Sequence, residues 1–234
     1  MTHNNDLEKI LYDLIKQLSK DNSPIVFKGG LALKELLYIK NSNLNIDRKT
    51  IDIDGNWIEN YDLEKITKTL EKSLKKINNN YKLIITREPE KNRSMGYKIL
   101  DENNDILTKI DLDIKDNPFY IICSIDNIDI KYSSPEKMLT DKLRSISSKH
   151  IFRRIKDILD IYLIINNFNI DSNKIHEILK FENKELDDFS TMLNNKDTIK
   201  EIYNKMQGII NKPLFDEVWK KIISYLIKEK FIKY

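Results

Sequence analysis

The 234-residue chain changes its hydrophobic period at one place, and that change constrains its fold more than any other feature. Before residue 134, short alternating runs are interleaved with helical stripes; after Ser134-Pro135 the spacing is almost wholly helical. The Ser-Pro pair is itself a helix start. A hydroxyl there accepts one of the unpaired N–H groups of the first turn, and proline has no N–H to leave unsatisfied. The pattern predicts an α+β chain in two parts: a core with a mixed sheet over residues 1–134 and a helical C-terminal domain over 135–234.

In the first part, Leu7, Ile10, Leu11, Leu14, Ile15 and Leu18 recur at helical spacing and predict a helix over 6–20. Ile25-Val26-Phe27 reads as a buried strand that runs into Gly29-Gly30 and a helix over 31–38, followed by a polar loop at 41–45. Thr50–Asp54 alternates as a strand, 63–77 is a helix, and 81–86 is a strand. A hairpin at Glu102–Asp105 joins Tyr97–Leu100 to Ile106–Ile114, with shorter strands at 120–122 and 128–131. In the second part helices are expected at 152–166, 175–181, 199–206 and 213–232, and no internal repeat is visible.

Composition narrows the class. With 40% apolar and 33% charged residues the chain reads as globular, and a net charge of +3 does not by itself demand a nucleic-acid partner. A single cysteine rules out an internal disulfide, and three histidines with no Cys/His cluster give no zinc spacing. Met1–Asp6 lacks the apolar core of a signal peptide. The most apolar run, Ile158–Ile165, is cut by Asp160 and is too short to span a bilayer, so a cytoplasmic protein without a membrane partner is expected.

The chemistry-bearing residues fall into a few groups. Asp52 and Asp54 flank Ile53 on a strand, so both carboxylates face one side while Ile53 faces the core. Two like charges held together are costly unless a cation lies between them, and Mg²⁺ is bound through one or two carboxylates plus water. Gly29-Gly30, between strand and helix, allows close approach of phosphate to a helix N-terminus, and Lys28 adds a cation beside it. A second acidic strand carries Asp111 and Asp113 on one face; either one completes a three-carboxylate site or serves as a base. In the helical part, Lys142 sits beside Leu139 and Leu143, and Asp157 and Asp160 share a helix face. Lys142, Arg144, Lys149, His150, Arg153, Arg154 and Lys156 form a basic stretch able to steer polyphosphate or an RNA backbone. Tyr120, Tyr132 and Phe152 are candidates to stack on a base and Trp57 to flank one, while Trp219 reads as core. Each piece alone reads equally as a solvated face, a tight turn or an ordinary core position.

Their order along the chain resembles the polymerase-β-like nucleotidyltransferase superfamily and, more narrowly, the AbiEii/AbiGii-type toxins of bacterial abortive-infection and toxin–antitoxin systems. The segments that carry the resemblance are Val26–Leu33 (VFKGGLAL), Arg48–Asp54 (RKTIDID), Thr108–Ile114 (TKIDLDI), Pro135–Leu143 (PEKMLTDKL) and Arg153–Tyr162 (RRIKDILDIY). The resemblance implies a nucleotidyltransferase core with a helical C-terminal part. The activity it implies is transfer of a nucleoside monophosphate from an NTP, with Mg²⁺, to an acceptor, RNA and above all tRNA, under the control of a cognate antitoxin. It assigns Gly29 and Gly30 to the phosphate loop, Asp52 and Asp54 to the metal, Lys142 to the nucleotide phosphates, and Asp157 to a base or positioning role; Asp111 is the further metal ligand that the second acidic strand offers. Leu31 departs from the pattern, since Thr or Ser often follows the two glycines. A small-molecule or protein acceptor, and a non-catalytic nucleotide-binding module of the same fold, are the alternatives.

Overall fold

In the computed structural model, which describes residues 3–42, 46–88 and 94–233, the elements run α1 (His3–Lys20), β1 (Ile25–Lys28), α2 (Gly29–Lys40), β2 (Asp47–Arg48), β3 (Asp52–Trp57), α3 (Leu63–Ile77) and β4 (Lys82–Arg87). They continue with β5 (Ser94–Leu100), β6 (Ile106–Ile114), β7 (Tyr120–Ile125), β8 (Ile128–Ser133), α4 (Pro135–Ser147), a 3₁₀ turn (Ile151–Arg153) and α5 (Ile155–Asn167). The last elements are α6 (Ser172–Phe181), α7 (Ser190–Asn194), α8 (Lys196–Lys205), β9 (Ile209–Ile210) and α9 (Phe215–Lys228). The chain divides into two units: Met1–Ala32 with Thr50–Ser133, and Leu33–Lys49 with Ser134–Tyr234. Part of the expected polar loop, residues 43–45, lies outside the described residues.

The first unit is a seven-stranded mixed sheet in the order β4-β5-β6-β3-β1-β8-β7. The β3–β6 and β1–β8 pairs are parallel, and the other neighbours are antiparallel. Strand alternation gives the sheet one apolar face, where Ile53, Gly55 and Trp57 lie in register with Ile110, Leu112 and Ile114. Helices α1 and α3 cover that face. Leu11, Leu14 and Leu18 of α1 and Ile66, Leu70 and Leu74 of α3 are buried, and Tyr97 of β5 hydrogen-bonds Thr67 of α3. Each such side chain contributes about 1.5–3 kcal/mol by leaving water. The opposite alternation positions carry Asp52, Asp54, Asp111 and Asp113.

The second unit is built on α4, which packs against α5 and α6, with α5 in turn against α8 and α9. Its core includes Leu139, Leu143, Ile158, Ile161, Ile178, Val218, Ile222 and Leu226. It is not all helix, contrary to the expectation from periodicity. β2 pairs antiparallel with β9, and Lys49 donates its N–H to the Gly208 carbonyl at 2.9 Å, which fastens residues 47–49 to this unit.

Candidate active site

In the sheet unit, register assembles the site. One row crosses five strands: Lys28 of β1 stands opposite Asp54 of β3, Asp54 opposite Asp111 of β6, Asp111 opposite Gly96 of β5, and Gly96 opposite Arg87 of β4. Cross-strand partners share a face, so two carboxylates lie side by side with a cation toward each end of the row. Asp52 lies two residues along β3, on the same face. Lys28 pairs with Asp113, and Arg87 Nη2 donates to Asp111 Oδ1 at 2.6 Å.

Strand β1 passes into α2 with no intervening loop, and the joint is Gly29 at φ +73°. That backbone conformation favours glycine, and space demands it too: a Cβ here would fall 2.2 Å from Asp54 Oδ2. The start of α2 therefore lies directly against the Asp54 carboxylate. The first turn of α2 contains no acidic side chain of its own, and its positive dipole end suits an anion. Leu31, where a hydroxyl often stands in the resembling family, is buried at 1% exposure and offers nothing to a ligand.

These residues suit a divalent ion. Asp54 and Asp111 are register neighbours and Asp52 shares their face, and one or two carboxylates completed by water and substrate oxygens is the usual magnesium arrangement. Among the described residues, no group of three or more Asp, Glu, His or Cys side chains converges into a ready-made cage.

The helical unit holds a second charged cluster, and it is buried. Lys142 of α4 donates to Asp160 Oδ2 at 2.6 Å and to Asp157 Oδ1 at 3.1 Å, both on α5. Arg154 Nε reaches Asp157 Oδ2 at 2.8 Å. Arg48, from β2, donates through Nη2 to Asp160 Oδ2 at 3.1 Å, with its Nε 3.1 Å from Oδ1. Asp157 and Asp160 are 5% and 1% exposed, and a carboxylate so buried needs cations against it. Burial alone would raise the Asp157 pKa, but the charges of Lys142 and Arg154 outweigh it and hold the carboxyl below its ordinary range. Burial would likewise lower that of Lys142, but Asp160 and Asp157 outweigh it and hold the ammonium above the usual lysine value. Arg48, Lys142 and Arg154 against Asp157 and Asp160 leave the cluster one positive charge in excess.

The structure redistributes the basic stretch. Lys142 is buried, Arg144 lies 3.6 Å from Glu182, and Arg154 is bound to Asp157, while Lys149, His150, Arg153 and Lys156 are exposed. Phe152 stands among them with 37% exposure. Other expectations for aromatic residues are corrected. Trp57 has 0% exposure and Tyr132 1%, because both occupy inward strand positions, so neither can flank or stack on a base. Trp219 is only part-buried, packed on Phe215 with Lys196 over its ring. Sequence reading missed Arg48 and Arg87 as ion-pair partners of Asp160 and Asp111. No local pattern announces a pair 112 residues apart, although Arg48 stood inside a quoted motif.

Comparison with known proteins bears on the fold and the family. The structure is similar to that of JHP933 from Helicobacter pylori, at 17% identity and a TM-score of 0.64, covering 99% of this chain and 94% of that one. It is also similar to a crystal structure described as a putative nucleotidyltransferase from H. pylori, at 15% identity and a TM-score of 0.63, covering 99% and 97%. A third likeness is to MenT4, a nucleotidyltransferase toxin from Mycobacterium tuberculosis H37Rv, at 10% identity and a TM-score of 0.56, covering 98% and 88%. No curated protein matches the chain. The fold is thus that of a nucleotidyltransferase. The family model for the nucleotidyl transferase AbiEii toxin of type IV toxin–antitoxin systems matches residues 9–229, and the chain belongs to that family. It is a nucleotidyltransferase, with an NTP as substrate and an antitoxin as counterpart. Enzymes of this class generally use divalent metal ions, and among the described residues no helix is long and apolar enough to cross a membrane.

Proposed function

We propose that this toxin transfers a nucleoside monophosphate from an NTP to a hydroxyl of RNA, with tRNA as the acceptor and Mg²⁺ as the ion, in the cytoplasm of a cell whose antitoxin restrains it during phage defence. The observation that carries the reading is the row in which Asp54 and Asp111 stand side by side with Gly29 closed against Asp54. Asp52, Asp54 and Asp111 would hold the ion, which when bound neutralises phosphate charge and polarises the α-phosphorus. Gly29 and Gly30 present the start of α2 to phosphate oxygens, with Lys28 beside them. The acceptor oxygen bonds to the α-phosphorus as the bond to the bridging oxygen breaks. Pyrophosphate leaves, and the hydroxyl proton passes to the remaining carboxylate of the same sheet face, Asp113.

In the helical unit, the excess positive charge around Lys142 suits a phosphate anion. Asp157, kept ionised by Lys142 and Arg154, is a weak base, and its part is to position those cations. The exposed Lys149, Arg153 and Lys156 suit a polyanionic acceptor, with Phe152 offering a face to a base.

Incubation with each of four α-³²P-labelled NTPs, Mg²⁺ and total bacterial RNA tests this reading. Label is expected in a tRNA-sized band, lost with EDTA and in the Asp52→Asn/Asp54→Asn variant. Label in protein or a small molecule instead would replace the acceptor. No transfer of any kind would defeat the reading.

A further inference from the structure

One ion pair on the acidic face is made possible by two irregularities of the sheet. Strand β4 alternates regularly through Ile85, which stands opposite Tyr97, but its next partner pair is Arg87 with Gly96. Thr86 and Arg87 together occupy the space of one residue, which is a β-bulge. Without it, strict alternation would turn Arg87 to the α3 side of the sheet. Bulges of this kind re-aim a side chain. The residue Arg87 must cross to reach Asp111 is Gly96, and a Cβ there would lie 3.4 Å from both Asp111 Oδ1 and Arg87 Cβ and 3.0 Å from Thr86 Oγ1. Bulge and glycine together open a gap through which Arg87 takes hold of one carboxylate oxygen at 2.6 Å.

Stability does not account for the arrangement. The two side chains are 54% and 40% exposed, and pairs so open to water add little to folding. The placement of the contact is more telling. It engages Oδ1, the oxygen on the Gly96 side; among the described residues no donor engages Oδ2. Asp54 is the neighbour of Asp111 on the other side. We infer that Arg87 is a positioning residue: it anchors Asp111 by Oδ1 so that Oδ2 is held ready for the divalent ion shared with Asp54. Groups that orient a ligating carboxylate commonly change metal affinity by about 10–100-fold.

The inference rests on the metal-holding reading above and is tested by binding rather than turnover, by titrating the purified full chain with Mn²⁺ and following free ion by electron paramagnetic resonance. Arg87→Ala is expected to weaken Mn²⁺ binding about tenfold. Arg87→Lys should recover part of the loss. Gly96→Val, which keeps both charged residues but fills the gap, should match Arg87→Ala. Asp111→Asn should lose as much, and adding Arg87→Ala to it should cost nothing further, because the two act through one contact. Unchanged or tighter binding in Arg87→Ala overturns the inference, the latter result making Arg87 a competitor of the ion. The underlying reading is checked in the same assay. If Asp52→Asn and Asp54→Asn abolish binding while Arg87→Ala has no effect, only the role of Arg87 falls; if they too leave binding intact, the metal-holding reading falls with it.

Discussion

A single lysine shows how far the helical unit depends on charges it has buried. Lys142 is 8% exposed and faces two aspartates that are more deeply buried still. Replacing it with methionine would preserve much of the volume and remove the ammonium that Asp157 and Asp160 share. Arg48 and Arg154 would remain, but each meets only one of the two carboxylates. Breaking a buried pair by deleting one partner typically costs about 3–5 kcal/mol, and Lys142→Met is expected near the lower end because the arginines stay. Urea unfolding followed by circular dichroism measures this; a loss below about 1 kcal/mol, the worth of an exposed pair, would mean that water reaches the cluster. The converse change, Asp157→Asn, should free Arg154 while Lys142 keeps Asp160, and so should cost less.

At the scale of elements, helix α4 begins as its sequence says it should. Ser134 is in extended conformation, its hydroxyl accepts the Lys137 N–H at 3.2 Å, and Pro135 opens the helix. Ser134→Ala is expected to cost about 1 kcal/mol, read as a shift of the urea midpoint at unchanged slope. Where the sequence carried a local signal of this kind it was legible: α1, α3 and α4, the β5–β6 hairpin and the alternation that sets Asp52 with Asp54 and Asp111 with Asp113 all follow from spacing. The rest depends on partners remote in the chain. Two-residue strands such as β2 and β9 have no period to read, and their pairing joins positions about 160 apart. The start of α5 is displaced to Ile155 because a 3₁₀ turn takes up Phe152 and Arg153 and ends at Arg154. That β3 and β6 run parallel, which makes Asp54 and Asp111 neighbours, is a property of topology, as is the bulge that turns Arg87 over Gly96. The candidate site residues could be proposed one strand at a time, but their juxtaposition could not.

For the molecule as a whole, the shifted groups predict a stability plateau with an edge on each side. On the acid side, Asp21 and Asp157 are both held below the ordinary carboxylate range: burial opposes this in each, but Lys76 and Ser73 outweigh it for Asp21, as Lys142 and Arg154 do for Asp157. A carboxyl whose folded pKa is depressed binds its proton more readily when unfolded. Its contribution is therefore complete above the unfolded value of about 4 and is lost as pH falls toward the folded value. On the alkaline side, burial, followed by the bond and charge of Glu217, pushes the Tyr162 hydroxyl up to about 12. Burial pushes Tyr225 up to about 12 as well, with the charges of Glu229 and Glu136 adding to it. An acid whose folded pKa is raised keeps its full contribution below the unfolded value, about 10 for tyrosine, and loses it between there and the folded value. Urea midpoints measured from pH 2 to pH 12 should therefore be level between about pH 5 and 9 and fall outside that window. Tyr162→Phe should make the alkaline fall shallower, because phenylalanine has no proton to lose, while Tyr225 keeps its part of the fall. Asp157→Asn should lower the plateau but shallow its acid edge, since one of the carboxylates that takes up a proton on unfolding is gone. An acid edge equally steep in Asp157→Asn would show that the buried cluster is not what ties the stability of this chain to pH.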